Sequence, residues 1–294
     1  ILLSKITVSK DYENLKKQNL KLIKSFVESF SVVNEKFENN NYYGTFEINF
    51  NKKKILSFLR DKNIFHSRMV KKDILFIPIF INLDTNNLLL FNENPFYKNW
   101  NINQQDQFLL NYIMQNEDLD DYRLIQERLN FIENYDFKEI ISKYELNQNY
   151  IIFIIYKDKD FFKTFSKFNI DSIQSNFKQD FSFFKLEDKK KTEDLIKFMK
   201  IKYDDEWKKI NLINSSIKLN IQLNIDSKDI PLLEKIEKVI NQIELIEKHS
   251  INYFNNDITS YNILSNSTPD KLVNEFEEFN ISVSIKNNVW TLSD

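Results

Sequence analysis

Gly44 is the only glycine in a chain of 294 residues, and that scarcity limits the backbones the chain can build. Glycine takes positive φ without steric cost and lets a backbone approach a phosphate closely. One glycine, set between Tyr43 and Thr45, cannot write a P-loop, a dinucleotide fingerprint or a nucleophile elbow. The chain has no cysteine, which removes thiol catalysis, disulfides and Cys-ligated zinc or iron–sulfur centres. Its two histidines, His66 and His249, lie far apart and lack neighbours arranged as in a catalytic triad. Each reads as a structural histidine. No catalytic, cofactor-binding or metal-ligating residue is assigned, and no cofactor is expected.

The depletion has a second source. The chain has no alanine, and 37 lysines stand against 4 arginines, the imprint of a very AT-rich genome. Drift in composition does not restore a motif that requires glycine. Hydrophobic residues make up 42% of the chain and 27 of its residues are Phe, enough for a sizeable core. The formal net charge is −2, so no global field favours nucleic acid or an anionic membrane. The basic runs Lys52-Lys53-Lys54 and Lys189-Lys190-Lys191 read as solvated helix starts and loops. No apolar run reaches the roughly 18–20 residues that span a bilayer, so no transmembrane segment is expected. The longest, Ile74 to Ile81, contains Pro78 and reads as a buried strand. The chain begins at Ile1, which fits a fragment or a processed form. The sequons at Asn214 and Asn266 are what chance gives in so Asn- and Ser-rich a chain.

Periodicity divides the chain into three modules. In 1–63, Leu2 to Val8 reads as a strand and Tyr12 to Phe30 as a long amphipathic helix. Asn34 to Asn41 reads as a loop, Tyr42 to Phe50 as a strand, and Ile55 to Leu59 as a short helix, giving a βαβα module. In 64–214, the apolar runs Ile74–Ile81 and Tyr150–Tyr156 predict central strands buried on both faces. Shorter strands near Leu88–Phe91, Phe108–Met114, Phe161–Phe168 and Ser175–Phe184 accompany them, with a long helix from Thr192 through Trp207. These predict a central mixed-sheet α/β domain. In 215–294, Ile217, Leu219, Ile221, Leu223 and Ile225 alternate strictly, and helices start at Asp229-Ile230-Pro231 and Ser267-Thr268-Pro269. The order predicts a C-terminal ferredoxin-like βαββαβ domain, with Ile281 to Leu292 closing it and a hairpin-like Asn287-Asn288.

Several landmarks carry a resemblance. They are Tyr43-Gly44-Thr45-Phe46-Glu47-Ile48-Asn49-Phe50, Ile74-Leu75-Phe76-Ile77-Pro78-Ile79-Phe80, Asn94-Pro95-Phe96 with Trp100, Asp118-Leu119-Asp120-Asp121, and Asn288-Val289-Trp290-Thr291-Leu292. Together they resemble a family of exported proteins of Gram-negative bacteria that carries a domain of unknown function. The likeness spans almost the whole chain. The family usually has Trp where Phe96 stands, and Gly or Ala at turns that are Asn here. The resemblance implies the periplasm or cell envelope as location, and another envelope protein as partner. The middle segment also resembles, at fold level only, domains of periplasmic translocation and lipoprotein-assembly factors, which act by binding other proteins.

The candidate partner-binding residues are Asn94, Pro95, Phe96 and Trp100, since Trp is enriched at interaction hot spots. The competing reading, which we favour, packs Phe96 and Trp100 at i and i+4 onto the sheet. Glu117, Asp118, Asp120 and Asp121 lack calcium-loop spacing and read as an acidic helix start. Glu133 and Asp136 are the candidate acid–base pair for glycoside hydrolysis, and nothing in the sequence sets their geometry. Trp290 reads as a structural residue of the closing strand. The chain is thus expected to be a non-catalytic envelope protein acting through protein–protein contacts or in assembly. The alternative is a carboxylate-dependent hydrolase.

Overall fold

Apolar spacing over a few residues does not separate strand from helix, and the N-terminal segment turns on that ambiguity. The structure, a computed structural model, describes residues 2–293 except 103–107, 147, 160, 183, 187, 215–216 and 287–288. Leu2 to Val8, expected as a strand, begins with a helix, α1 (Leu2–Ile6). Leu3 and Thr7 stand one helical turn apart, and the Thr7 hydroxyl donates to the Leu3 carbonyl at 2.7 Å. The expected helix over Tyr12 to Phe30 is broken as well. It forms α2 (Ser9–Leu15) and α3 (Leu20–Ser25), and then the chain extends into β1 (Val27–Glu38). The expected loop Asn34–Asn41 is the end of β1 and its turn into β2 (Asn41–Phe50). The β-branched and aromatic residues Phe30 and Val32 pair across strands with Ile48 and Phe46. Such pairs stabilise a strand, and among the helically spaced Phe26, Val27 and Phe30 the first is buried, against Phe58, while the last is exposed. The turn places Asn39 at φ 51° and Asn40 at φ 60°, the double left-handed step of a two-residue hairpin turn.

Asn51 caps α4 (Lys52–Asp61), accepting from the Lys54 N–H, so the first basic run is a helix start as read. A two-residue strand, β3 (His66–Ser67), follows. The central strand β4 (Lys72–Asn82) is buried on both faces, as its Ile/Phe run predicts. After it come β5 (Asn87–Leu89), a 3-10 turn at Phe91–Glu93, α5 (Pro95–Asn99) and β6 (Leu110–Met114). Then come α6 (Leu119–Glu127), α7 (Lys138–Ile141), the strands β7 (Tyr150–Asp158), β8 (Phe161–Ile170) and β9 (Ile173–Ser182), and α8 (Lys189–Ile210). The strand order is β5-β4-β7-β8-β9, with β6 also on β4. β6 and β7 run parallel to β4, whereas the β4–β5, β7–β8 and β8–β9 pairs are antiparallel.

Two apolar cores lie on the two faces of this sheet. Ile74, Phe76 and Phe80 join Phe96, Trp100 and the α8 residues Leu195, Met199, Tyr203 and Trp207. Leu75, Ile77, Ile79 and Ile81 join Ile125, Ile132, Phe137 and Ile140. This is the covered sheet that continuous apolar strands require.

β10 (Leu212–Ile213) pairs with β3. The C-terminal sheet is built from β11 (Leu219–Asp226), β12 (Ile246–Phe254), β13 (Ile258–Ser265), β14 (Ser282–Lys286) and β15 (Val289–Ser293), with α9 (Ile230–Gln242) and α10 (Pro269–Glu278). Its order is β12-β13-β11-β15-β14. The closing segment Ile281–Leu292, expected to carry a hairpin-like Asn287-Asn288, supplies two antiparallel strands where the βαββαβ order counts one, and the second runs parallel to β11. The Asn287-Asn288 turn, and Ser215 and Ser216 of the first sequon, lie outside the described residues. Inward residues of β11 and β13 pack with Leu232, Ile236, Val239, Leu272 and Phe276 of the helices and with Trp290. Trp290 is buried there.

The chain forms two compact units. One comprises Ile1–Ser9 and Met69–Ile210, and the other Lys10–Arg68 and Asn211–Asp294. Of the residues expected as an N-terminal module over 1–63, those from Lys10 onward share a unit with the C-terminal segment. The protein is mixed α/β, with four open sheets among the described residues. None of its described helices is long and apolar enough to cross a membrane.

Candidate interaction surface

The β1–β2 ribbon sorts its side chains by face. Cross-strand partners share a face, so Phe30 with Ile48, Val32 with Phe46, and Phe37 with Tyr42 form one row. Glu47, Lys36 and Glu38 belong to the opposite face. The row is apolar and uncovered: exposure runs from 46% at Val32 to 71% at Phe37. Gly44 lies in it, opposite Glu35. A Cβ there would stand 3.1 Å from the Phe46 ring and 3.3 Å from the Tyr42 ring, so the rings close over the glycine. Its φ is not positive. The lone glycine serves close packing of side chains rather than an unusual backbone.

One polar pair sits among these residues. The Tyr42 hydroxyl donates to Glu35 Oε2 at 2.7 Å, and the carboxylate raises the phenol's pKa. A two-stranded ribbon by itself is marginal in water, and contiguous exposed apolar surface of this extent is uncommon on a folded protein.

The second unit adds a free edge. β12 ends its sheet, with Ile251 55%, Tyr253 40% and Phe254 70% exposed. The same sheet carries a groove of about 500 Å³, lined by the polar Asn220, Gln222, Lys248, His249, Ser250 and Asn262. Ile221, Ile263 and Leu264 complete the lining, so its surface is mixed. His66, by contrast, sits in β3, where burial lowers its pKa.

The four candidate residues are brought together, three of them inside the fold and Pro95 half-buried. Asn94, Phe96 and Trp100 have no exposed surface, so no aromatic patch is presented there. Their role follows from a gap in the sheet. β6 pairs with β4 up to Phe76, and β5 pairs with it from Phe80, leaving the edge between them without a strand. Asn94 fills it: its side-chain N–H donates to the Pro78 carbonyl at 3.1 Å, while its Oδ1 accepts from the Phe96 N–H at 2.9 Å. Pro95 starts α5 at the position where its missing N–H costs nothing. Trp100 then stacks on Phe76 at 4.0 Å between ring centres.

A chain of buried polar groups on α8 escaped sequence reasoning. Lys200, Asp204 and Lys208, four residues apart, are all buried. Lys200 Nζ donates to the Trp100 carbonyl at 2.6 Å and lies over the rings of Trp100 and Tyr112, 5.6 and 5.3 Å from their centres. Burial lowers its pKa to about 8. A cavity of about 200 Å³ lies beside it, lined by Asn99, Trp100, Glu193, Ile196 and Lys200. Asp204 pairs with Lys208 at 2.8 Å and accepts from the Leu109 N–H at 2.7 Å. Burial raises its pKa against the pull of Lys208. Lys208 also donates to the Ser4 carbonyl at 2.6 Å, and Ser9 binds the Asp205 carboxylate through both its N–H and its hydroxyl. These groups tie α1 and the first residue of α2 to α8. The cation is held by a carbonyl and two ring faces, which is a packing arrangement. The period-four Lys-Asp-Lys spacing was the available signal, but a charge on a helix reads by default as a solvated face.

The remaining carboxylates have ordinary partners. Asp118 caps α6, and Lys143 bridges Asp118 and Asp121 at 2.6 Å each, which raises the lysine pKa. Glu133 pairs with Lys178 at 2.9 Å, and Asp136 accepts from the Lys138 N–H at 3.2 Å. Among the described residues no three His, Asp or Glu side chains gather where they could hold a metal ion.

Comparison with protein-family models, curated proteins and solved structures finds no match. Function has to be argued from the chain's own geometry.

Proposed function

We propose that the chain acts by binding another protein chain, and that the apolar face of the β1–β2 ribbon is its contact surface. The observation that carries this reading is the row Phe30, Val32, Phe37, Tyr42, Phe46 and Ile48, every member at least 46% exposed on one side of a ribbon. Apolar surface of that extent gains free energy by leaving water, and here no second layer covers it. The free edge of β12 offers backbone hydrogen bonds as a subsidiary contact. The envelope setting implied by the family resemblance belongs to the same proposal. So does a ferredoxin-like reading of the β11-α9-β12-β13-α10 framework, with β15 as an added strand.

A photo-crosslinking residue at Phe37 tests the reading in the native extract. One defined protein adduct, lost on Phe46→Ser, is the expected result. A reproducible hydrolase activity that disappears on Glu133→Gln or Asp136→Asn, with no adduct, would favour the carboxylate-dependent hydrolase.

A further inference from the structure

Lys200 is only 4% exposed, yet the cavity of about 200 Å³ on α8 reaches its side chain. The buried Trp100 and Ile196 share the inner wall with it, and the exposed Glu193, Asp194 and Lys197 stand at the mouth. Among the described residues its one hydrogen bond goes to the Trp100 carbonyl. Burial alone lowers its pKa to about 8, with no carboxylate charge opposing it. At pH 8 about half of the group is therefore neutral amine, against well under ~1% for a lysine with the ordinary pKa of 10.5. A desolvated neutral amine is the form that attacks a carbonyl carbon. Trp100 also has an unused donor, since its Nε1–H is buried without an acceptor among the described residues.

Size and charge narrow what can enter. Pockets for drug-sized ligands run to roughly 300–1,000 Å³, so this one suits a short chain. Its mouth sets two carboxylates against one ammonium, which disfavours an anion. The product must also fit the partners already in place. A protonated imine keeps one N–H and the positive charge. The Trp100 carbonyl and the ring faces of Trp100 and Tyr112 then serve it as they serve the ammonium. An acyl or carboxyl group on the same nitrogen would cancel that charge.

Independently of the ribbon and its contacts, we infer that Lys200 and its cavity form a capture site for a short, uncharged aldehyde, held as a Schiff base. The lone pair of Lys200 Nζ forms a bond to the carbonyl carbon, and the C=O π pair moves onto oxygen. The two amine protons pass to that oxygen, which leaves as water while the C=N bond forms. The imine nitrogen then takes up one proton. The Trp100 Nε1–H is a donor for the oxygen while it is still attached.

Limiting butanal with cyanoborohydride, which reduces a Schiff base to a stable secondary amine, tests this on the full chain at pH 8. Peptide mass mapping then reads the label at each lysine. If Lys200 served packing alone, its burial would make it one of the least labelled lysines. The expected result is the reverse, with Lys200 carrying about ten times the label of the average lysine or more. That preference should vanish in urea, where every lysine meets the same solvent. Glyoxylate, an aldehyde that is also an anion, should show no preference for Lys200 on the folded chain. Butanal label spread over the exposed lysines with Lys200 spared overturns the proposal. So does a Lys200 preference that survives in urea, or one that glyoxylate shares in full.

Discussion

The Phe46 ring lies 3.1 Å from the point where a Cβ on Gly44 would stand, so the only glycine of the chain sits beneath an aromatic side chain. The near atoms are at the far end of an exposed ring, which can swing aside. Gly44→Ala should therefore change stability by less than about 1 kcal/mol, since a strand also gains on losing the freedom of glycine. The displaced Phe46 and Tyr42 rings should nonetheless weaken the Phe37 photo-adduct several-fold. Chemical denaturation and crosslinking on the same sample separate the two effects.

Asp171 and Ser172 turn β8 into β9 with φ of 48° and 65°. Ser172 is exposed, so Ser172→Gly removes left-handed strain without emptying a core. The substitution should raise the stability of the first unit by about 1 kcal/mol. A urea midpoint that stays or falls would contradict it. Because the chain has two units, the transition should be followed with a probe in each.

Lys200 provides a pH dependence whose sign can be worked out. Burial lowers its folded-state pKa from 10.5 to about 8. The unfolded chain then binds more protons between about pH 8 and 10.5, so this group adds stability as pH rises through that window. Lys200→Met removes the contribution. The stability difference, wild type minus Lys200→Met, should therefore climb between pH 8 and 10.5 and be flat below it. A difference that falls with pH would mean that the ammonium is stabilised in the fold.

Asn94 satisfies two backbone groups at once, the Pro78 carbonyl and the Phe96 N–H. Asn94→Ala leaves both buried without that partner and should cost about 2–4 kcal/mol, read as a lower denaturant midpoint of the first unit.

Trp290 is 4% exposed and packs in the core of the second unit. Trp290→Ala should cost about 3–5 kcal/mol there. Fluorescence and exchange probes of the first unit should be left unchanged.

The strands β4 and β7 were legible because continuous Ile and Phe runs have only one home, a sheet covered on both faces. The pattern from Ile217 to Phe279 was legible too, since alternation and capped helical spacing cover most of it. The ribbon was not. Phe46, Ile48 and Phe50 alternate plainly, but alternation reports that a face is apolar and says nothing of what covers it. The first strand was hidden because Phe26, Val27 and Phe30 also fit a helix, and the decisive partners lie beyond the Asn39-Asn40 turn. Reading both asparagines as stand-ins for Asn-Gly would have exposed it. The pairing of His66–Ser67 with Leu212–Ile213 spans nearly 150 residues with two residues a side, which no local pattern marks. Asn94 and Trp100 stand out in the sequence, but whether such residues face solvent or a gap in a sheet depends on where β5 and β6 stop.

The division of the chain has a consequence for its birth on the ribosome. Residues 69–210 can complete the first unit while the C-terminal segment is still being made. Residues 10–68, the aromatic ribbon among them, must wait for 211–294 before their unit can close. Throughout that interval a nascent chain displays Phe30, Phe37 and Phe46 to its neighbours on the same message. Apolar surface held open on an unfinished unit is what makes nascent chains prone to misassembly, so the order of synthesis places the ribbon's exposure at its longest.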